Sequence, residues 1–215
     1  MNFEKYTNEF IQKVDTYKNG NSHFKSGYPP HSVMFFEALL LYTLAKEYNI
    51  DCFIESGVRL GGSTSIWARV FSNLEVYSVE SGKTRGGENT EYEDVIMWIK
   101  NNVVPAYPKI NFEFGDGNEL LPKIIENNPN KKFGVFIDGP KETEGLKLAE
   151  KCVSYDNVCF STLHDSLEST KYFTTFEYNK LDQLIESVKI LNDEHPGFEN
   201  SPNGYNLAIL EKTNG

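Results

Sequence analysis

The sequence predicts an α/β protein built on a mostly parallel sheet. Short apolar segments alternate with longer segments whose apolar residues recur at helical spacing, which is the pattern of β–α–β units. The short segments are nearly continuous in apolar character, as expected of strands whose two faces are both covered by helices. The chain of 215 residues is long enough for one large domain with a substantial core.

The predicted elements follow one another in a regular order. An N-terminal helix precedes a polar stretch, and Ser32 is placed to cap a second helix that ends near Tyr48. Predicted strands cover residues 51–55, 76–79, 110–114, 133–137, 158–163 and 204–210. Predicted helices cover residues 63–71, 91–100, 120–126, 142–153 and 181–191. We expect residues 1–30 to form a helical arm or lid and residues 31–215 to form the main domain.

Composition and charge exclude several classes of function. Hydrophobic residues make up 39% of the chain and charged residues 24%, which is the composition of a globular protein. The net charge of -10 argues against tight non-specific binding to nucleic acid. Neither a membrane-spanning segment nor a secretory signal is predicted. The three cysteines form no CxxC pair, so we expect free thiols in a reducing compartment, the cytoplasm.

Acidic residues stand at the ends of five consecutive predicted strands. They are Glu55, Glu80, Asp116, Asp138 and Asp165, the last of which follows His164. Ligands of open α/β sheets bind beyond the carboxyl ends of the strands, so this row predicts a ligand site along one edge. A single such residue is more often a helix cap or a solvated turn, and only the complete row indicates a site.

The first strand leads into a glycine-rich loop, Glu55-Ser56-Gly57-Val58-Arg59-Leu60-Gly61-Gly62-Ser63. Gly57 permits a sharp turn, and Gly61 permits close approach of a ligand to the backbone. Ser63 can cap the helix that follows, whose N-terminal N–H groups favour an anionic group. The loop is not a G-x-G-x-x-G dinucleotide fingerprint, because Arg59 replaces the second glycine.

These features together resemble the class I S-adenosylmethionine-dependent methyltransferases. The pattern Glu-x-Gly-x-x-x-Gly-Gly-Ser is similar to their cofactor loop, and the acidic residues after the second and third strands follow the family's order. The resemblance covers roughly residues 32–212. Asp138-x-x-Lys141 resembles the metal-site signature of catechol and caffeoyl-coenzyme A O-methyltransferases. The same segment with His164-Asp165 is also similar to sugar O-methyltransferases and to the cephalosporin-hydroxylase-like branch.

The resemblance implies a Rossmann-like, doubly wound sheet of seven mostly parallel strands with helices on both faces. It also implies a set of residues that bind S-adenosylmethionine: Glu55, Gly57, Gly61, Ser63, Glu80, Asp116 and Asp138. In this set Glu55 would orient the glycine loop and Glu80 would bind the ribose hydroxyls. Asp116 would lie beside the adenine, and Asp138 would lie near the transferable methyl group.

The resemblance further implies candidates for metal binding and catalysis. In the metal-dependent members, equivalent positions hold magnesium, and here they are Asp138, His164 and Asp165. His164 departs from that pattern because magnesium prefers oxygen ligands. The catalytic candidates are Asp138, His164 and Lys141. The sequence leaves open whether a divalent ion, His164 or Lys141 assists deprotonation, and whether Lys141 only pairs with a neighbouring carboxylate.

The resemblance therefore leads us to expect an O-methyltransferase that acts on a hydroxyl group of a small molecule. A sugar or another polyhydroxylated compound is the first acceptor expected, by similarity to one branch of the family. Neither nucleic acid nor a membrane is an expected partner, and self-association into a homo-oligomer is left open. Two alternatives remain, namely a non-catalytic binding protein that retains the fold and a nucleotide-sugar or dinucleotide enzyme.

Overall fold

A computed structural model describes residues 3–19, 33, 35–82, 95–164 and 207–211. Within them, helices α1–α6 are Phe3–Asn19, Phe35–Tyr48, Gly62–Val70, Val95–Trp98, Gly117–Glu126 and Glu142–Ser154. Strands β1–β6 are Cys52–Ser56, Glu75–Glu80, Ile110–Phe114, Phe133–Ile137, Val158–His164 and Leu207–Glu211. A π-helical turn, Ile99–Val103, continues α4. The predicted alternation is confirmed for these residues, while the cap at Ser32 and the helix at 181–191 lie outside them.

The strands of the described residues form one sheet in the order β3-β2-β1-β4-β5-β6. The first five pair in parallel, whereas β6 runs antiparallel to β5. The described residues thus contain six strands rather than the seven implied by the resemblance, and the chain between β5 and β6 lies outside them. The strand order reverses between β1 and β4, so a crevice opens beyond the carboxyl ends of these two strands.

Helices cover both faces of the sheet, as predicted. Every residue of β1 and β4 is buried. On one face, Phe53 of β1 packs in the core cluster that contains Trp67 of α3. On the other face, Ile54 belongs to the cluster that contains Leu121 of α5 and Leu148 of α6. Covering on both faces explains why the apolar residues of these strands form continuous runs.

Helix α1 packs into the core of the domain. Phe10 is fully buried, and its ring centroid lies 5.6 Å from that of Tyr42 on α2. Nζ of Lys13 lies 3.4 Å from Oγ of Ser72, just beyond the C-terminal end of α3. These contacts lie towards the amino edge of the sheet, opposite the acidic row. The lid expected within residues 1–30 stays a prediction, because residues 20–30 lie outside the described part of the chain.

Candidate cofactor site and active site

The carboxyl ends of β2, β1 and β4 lie side by side because these strands are neighbours in the sheet. Backbone hydrogen bonds continue just beyond the strands. The N–H of Gly57 donates to the carbonyl of Val79 at 2.8 Å, and the N–H of Asp138 donates to the carbonyl of Ser56 at 2.7 Å. The predicted acidic row therefore lies along one edge of one sheet, except for Asp165, which lies outside the described residues.

The loop after β1 turns through left-handed backbone at three residues. Gly57, Arg59 and Gly61 have φ angles of 97°, 49° and 76°. A side chain at Gly57 would also collide with the turn after β4, because a Cβ atom there would lie 2.9 Å from the backbone nitrogen of Gly139. Glycine is therefore needed where the loops after β1 and β4 meet, at the bottom of the crevice.

Gly61 makes a close approach to another part of the protein. A Cβ atom at Gly61 would lie 2.9 Å from both Cγ atoms of Val103, in the π-helical turn. Val103 packs with Val58 and Ile99 in a small apolar cluster that supports the loop. The structure thus explains this glycine by packing, and a cofactor contact at Gly61 stays a prediction.

The carboxylate of Glu80 holds the glycine loop in place. Its Oε2 accepts hydrogen bonds from the N–H groups of Val58 at 2.9 Å and Arg59 at 2.8 Å. Its Oε1 accepts one from the N–H of Gly82 at 2.8 Å. Within the described residues Oε2 therefore takes two bonds and Oε1 takes one, and binding of a ribose hydroxyl by Glu80 stays a prediction.

Glu55 lies beneath this loop, in the interior of the protein. Its fully buried carboxylate accepts hydrogen bonds from Oγ1 of Thr64 at 2.5 Å, Oγ of Ser78 at 2.7 Å and Nε1 of Trp67 at 2.9 Å. Burial raises the pKa of Glu55 to about 8, although these hydrogen bonds oppose the rise. Through these contacts Glu55 connects α3 to β2 on the two sides of the glycine loop, and its role in orienting that loop stays a prediction.

The side chains of Ser63 and Asp116 each accept a hydrogen bond from a backbone N–H group of the protein. Oγ of Ser63 accepts a hydrogen bond from the N–H of Val33 at 2.9 Å, which fastens the segment before α2 to the start of α3. Gly61, not Ser63, is the cap residue of α3. Asp116 caps α5, and its Oδ1 accepts from the N–H of Asn118 at 2.9 Å. Direct cofactor contacts of these two side chains stay predictions.

Four charged side chains form a continuous chain at the carboxyl ends of β4 and β5. Oδ1 of Asp138 lies 2.8 Å from Nδ1 of His164 and also accepts a hydrogen bond from Nζ of Lys141. On the other side of the ring, Nε2 of His164 lies 3.2 Å from Oε2 of Glu37, on α2. Glu37 is not among the predicted residues. The available signal was that it is the one charged residue between positions 33 and 45.

The cations of this chain keep Asp138 ionised. Burial favours the neutral acid, but the His164 ring and the Lys141 ammonium hold the pKa of Asp138 below its usual range. Burial also favours the neutral form of His164, but hydrogen bonds to Asp138 and Glu37 raise its pKa to about 10. The raised pKa favours the protonated imidazole, which has no lone pair free to accept a proton, and a role of His164 as the base stays a prediction.

The residues predicted to hold a metal do not fit a divalent ion in this arrangement. The described residues contain no group of three or more His, Cys, Asp or Glu side chains placed to hold a metal ion. Oδ1 of Asp138 accepts a hydrogen bond from Nζ of Lys141 and lies 2.8 Å from Nδ1 of His164, and Nε2 of His164 lies 3.2 Å from Oε2 of Glu37, so these atoms already have partners. Asp165, the third predicted ligand, lies outside the described residues.

The parallel sheet with its reversed strand order and the glycine loop held by an acidic residue define the fold of class I S-adenosylmethionine-dependent methyltransferases. A solved structure supports this: the methyltransferase PaMTH1 of Podospora anserina with bound S-adenosylhomocysteine (SAH) has a TM-score of 0.50 and 10% identity, covering 95% of this chain and 88% of that chain. At this identity the likeness shows the fold.

Two further solved structures are similar over most of the chain. A putative caffeoyl-CoA O-methyltransferase from Staphylococcus aureus has a TM-score of 0.48 and 16% identity, covering 97% of this chain and 98% of that chain. An O-methyltransferase from Bacillus cereus in complex with SAH has a TM-score of 0.47 and 16% identity, covering 97% and 91%. No protein-family model matches the sequence, and no curated protein matches it.

Proposed function

We propose that the protein is an S-adenosylmethionine-dependent O-methyltransferase that acts on a hydroxyl group of a small molecule. The observation that carries the proposal is the adjacency of two differently built groups at the carboxyl edge. The glycine loop held by Glu80 suits the cofactor, and the ionised Asp138 suits the acceptor. The two groups flank the place where Gly57 meets Gly139.

Two features of the carboxyl edge support binding of the cofactor there. Its base carries no side chains, because a Cβ atom added at Gly139 would meet only Cα of Gly57, at 3.9 Å. Oε1 of Glu80 accepts one hydrogen bond within the described residues, so it has a lone pair that a ribose hydroxyl can use. By the family resemblance, we place the adenine beside Asp116 and the sulfonium beside Asp138, which follow β3 and β4.

When bound, S-adenosylmethionine supplies an activated methyl group, so the protein has to position the acceptor and receive its proton. Asp138 suits this task because it is ionised and its side chain is 28% exposed. Its two contacts both fall on Oδ1 within the described residues, which leaves Oδ2 to accept the hydroxyl hydrogen. The hydroxyl proton becomes strongly acidic as the new carbon–oxygen bond forms, so a carboxylate with a low pKa can take it.

A sugar or another polyhydroxylated molecule is the acceptor that we propose first. The acceptor side of the crevice presents the charged groups of Asp138, Lys141 and His164, which favour hydrogen-bonding ligands over apolar ones. We also propose a cytoplasmic location, since all three cysteines are free thiols. None of the helices that the structure describes is long and apolar enough to span a membrane.

Calorimetry with S-adenosylmethionine tests the cofactor half of the proposal. We expect Glu80→Gln to weaken the affinity about ten- to a hundredfold, because the amide cannot accept hydrogen bonds at both positions. Glu75→Gln is the matched control, since Glu75 begins the same strand and binds Lys131 and Tyr77 at the opposite edge. Its effect on the affinity should stay below about threefold. Equal losses in both variants would remove the assignment of Glu80.

The unaltered protein distinguishes the alternatives in the same experiment. Binding of S-adenosylmethionine followed by transfer of its labelled methyl group to members of a panel of sugars and catechols supports the proposal. Absence of binding would favour a protein that retains the fold without the activity. Displacement of bound SAH by NAD would favour a dinucleotide enzyme. Transfer to catechols and not to sugars would support the proposed methyltransferase activity and would overturn the sugar as the proposed acceptor.

A further inference from the structure

Glu37 is a buried carboxylate in an apolar segment of α2. It is 1% exposed, and its neighbours Ala38, Leu39 and Leu40 are buried apolar residues. A carboxylate removed from water without a charged or hydrogen-bonding partner strongly destabilises a fold. The buried carboxylate of Glu37 therefore needs a partner, and its partner lies at the carboxyl edge, where the start of α2 is next to the end of β5.

The structure places the imidazole of His164 against Glu37. Nε2 lies 3.2 Å from Oε2 of Glu37, while Nδ1 lies 2.8 Å from Oδ1 of Asp138. The face of the ring lies near Phe136, with 5.8 Å between the ring centroids. A ring held at both nitrogens cannot rotate about its last side-chain bond without breaking a charge-assisted hydrogen bond.

We propose that Glu37 is a positioning residue that acts through His164 to fix the orientation of Asp138. Held in this way, Asp138 keeps Oδ1 on the two cations and turns Oδ2 towards the acceptor hydroxyl. The inference rests on the proposed function, because only there does Asp138 touch an acceptor. It makes α2, which precedes the glycine loop in the chain, a contributor to the acceptor half of the site.

The arrangement of contacts supports the same inference. Glu37 and Asp138 hold the two ring nitrogens of His164 from opposite sides, and Lys141 donates to the oxygen of Asp138 that lies against the ring. Removal of the Glu37 carboxylate takes away the contact at Nε2 and so weakens the restraint on the ring beside Asp138.

The test compares Glu37→Gln with Glu47→Gln, which changes an exposed glutamate near the other end of α2. Nitrogen–proton correlation spectra at neutral pH report whether each ring nitrogen carries a proton. The spectrum has four histidines, and the signals of His164 are those missing from His164→Asn. The carbon chemical shift of the Asp138 carboxylate, assigned with Asp138→Asn, reports the orientation of Asp138 without any acceptor.

We expect Glu37→Gln to lose the Nε2-bound proton of His164 and to shift the Asp138 carboxylate signal, while Glu47→Gln leaves both unchanged. Glu37→Asp withdraws the carboxylate by one methylene and should have the same effect, which keeps the test decisive if Glu37→Gln does not fold. An unchanged ring spectrum would overturn the contact, and an unchanged Asp138 signal would overturn the positioning role. Neither spectrum depends on cofactor binding, so failure of the proposed function is detected separately, by calorimetry.

Discussion

Glu55 and Asp138 lie on or just after the neighbouring strands β1 and β4, yet their carboxylates are held by opposite kinds of partner. Three neutral donors surround Glu55, and burial raises its pKa to about 8. An ammonium and an imidazolium bind Asp138 and lower its pKa in spite of burial. The pKa values of the two carboxylates therefore shift in opposite directions, because burial dominates at Glu55 and the neighbouring cations outweigh burial at Asp138.

The two carboxylates also differ in access. Glu55 has no exposed surface, whereas the side chain of Asp138 is 28% exposed. Glu55 thus belongs to the buried framework beneath the glycine loop, whereas Asp138 is accessible, as its proposed contact with an acceptor requires. Substitutions of Asp138 and Glu55, and addition of a divalent cation, test this difference between the two carboxylates.

The largest effect is expected from Asp138→Asn. The amide keeps the size of the side chain but cannot take the hydroxyl proton, so turnover should fall about 10²- to 10⁴-fold. The affinity for S-adenosylmethionine should change less than about threefold, because Asp138 acts on the acceptor. Initial rates with an acceptor from the panel measure this, and Asp156→Asn, at an exposed turn, is the control. Normal turnover by Asp138→Asn would remove the residue from the mechanism.

A smaller effect is expected on the pH dependence of folding stability at Glu55. Its pKa is about 8 in the folded protein and lower when unfolded, so the folded state binds the extra proton. The stability that this proton provides is present below about pH 4.5 and is lost as the pH rises through about 8. The free energy of unfolding should therefore decrease across this interval.

Glu55→Gln should flatten that decrease, because the amide does not titrate. Urea unfolding at a series of pH values measures the difference, with Glu144→Gln on the exposed side of α6 as the control. Parallel pH profiles for the unaltered protein and Glu55→Gln would show that burial does not raise the pKa of Glu55.

The smallest effect is expected from divalent ions. The two cations that bind Asp138 should exclude Mg²⁺ or Mn²⁺, so neither ion alone should change the melting temperature by more than about 1 °C, and calorimetry should show no saturable heat. Saturable binding of one ion, lost in Asp138→Asn, would restore Asp138 as a metal ligand and would require Lys141 and His164 to move away.

Much of the fold could be predicted because each strand is a short apolar run bounded by turn residues. The predicted limits of the strand at 133–137 agree with β4, and the helix from Glu142 ends one residue later than predicted. The direction of β6 could not be read in the same way, since apolar character does not encode whether a strand runs parallel or antiparallel to its neighbour. The strand count implied by family resemblance exceeds the six of the described residues.

The site could be predicted as a location but not as a set of contacts. Strand ends identify the edge, whereas the partners of each side chain depend on residues far away in the sequence. Glu37 and His164 are 127 positions apart, and the apolar surroundings of Glu37 make α2 look like an ordinary core helix. The constraint on Gly61 likewise comes from Val103, in an element that shares no motif with the loop.

A crystal structure of the protein with SAH tests the central claim most directly. We expect the ligand to lie across the carboxyl ends of β2, β1 and β4, with a ribose hydroxyl hydrogen-bonded to Oε1 of Glu80. The sulfur should lie closer to Asp138 than to Asp116. A ligand bound away from this edge, or an edge that stays empty at saturating SAH, would contradict the account.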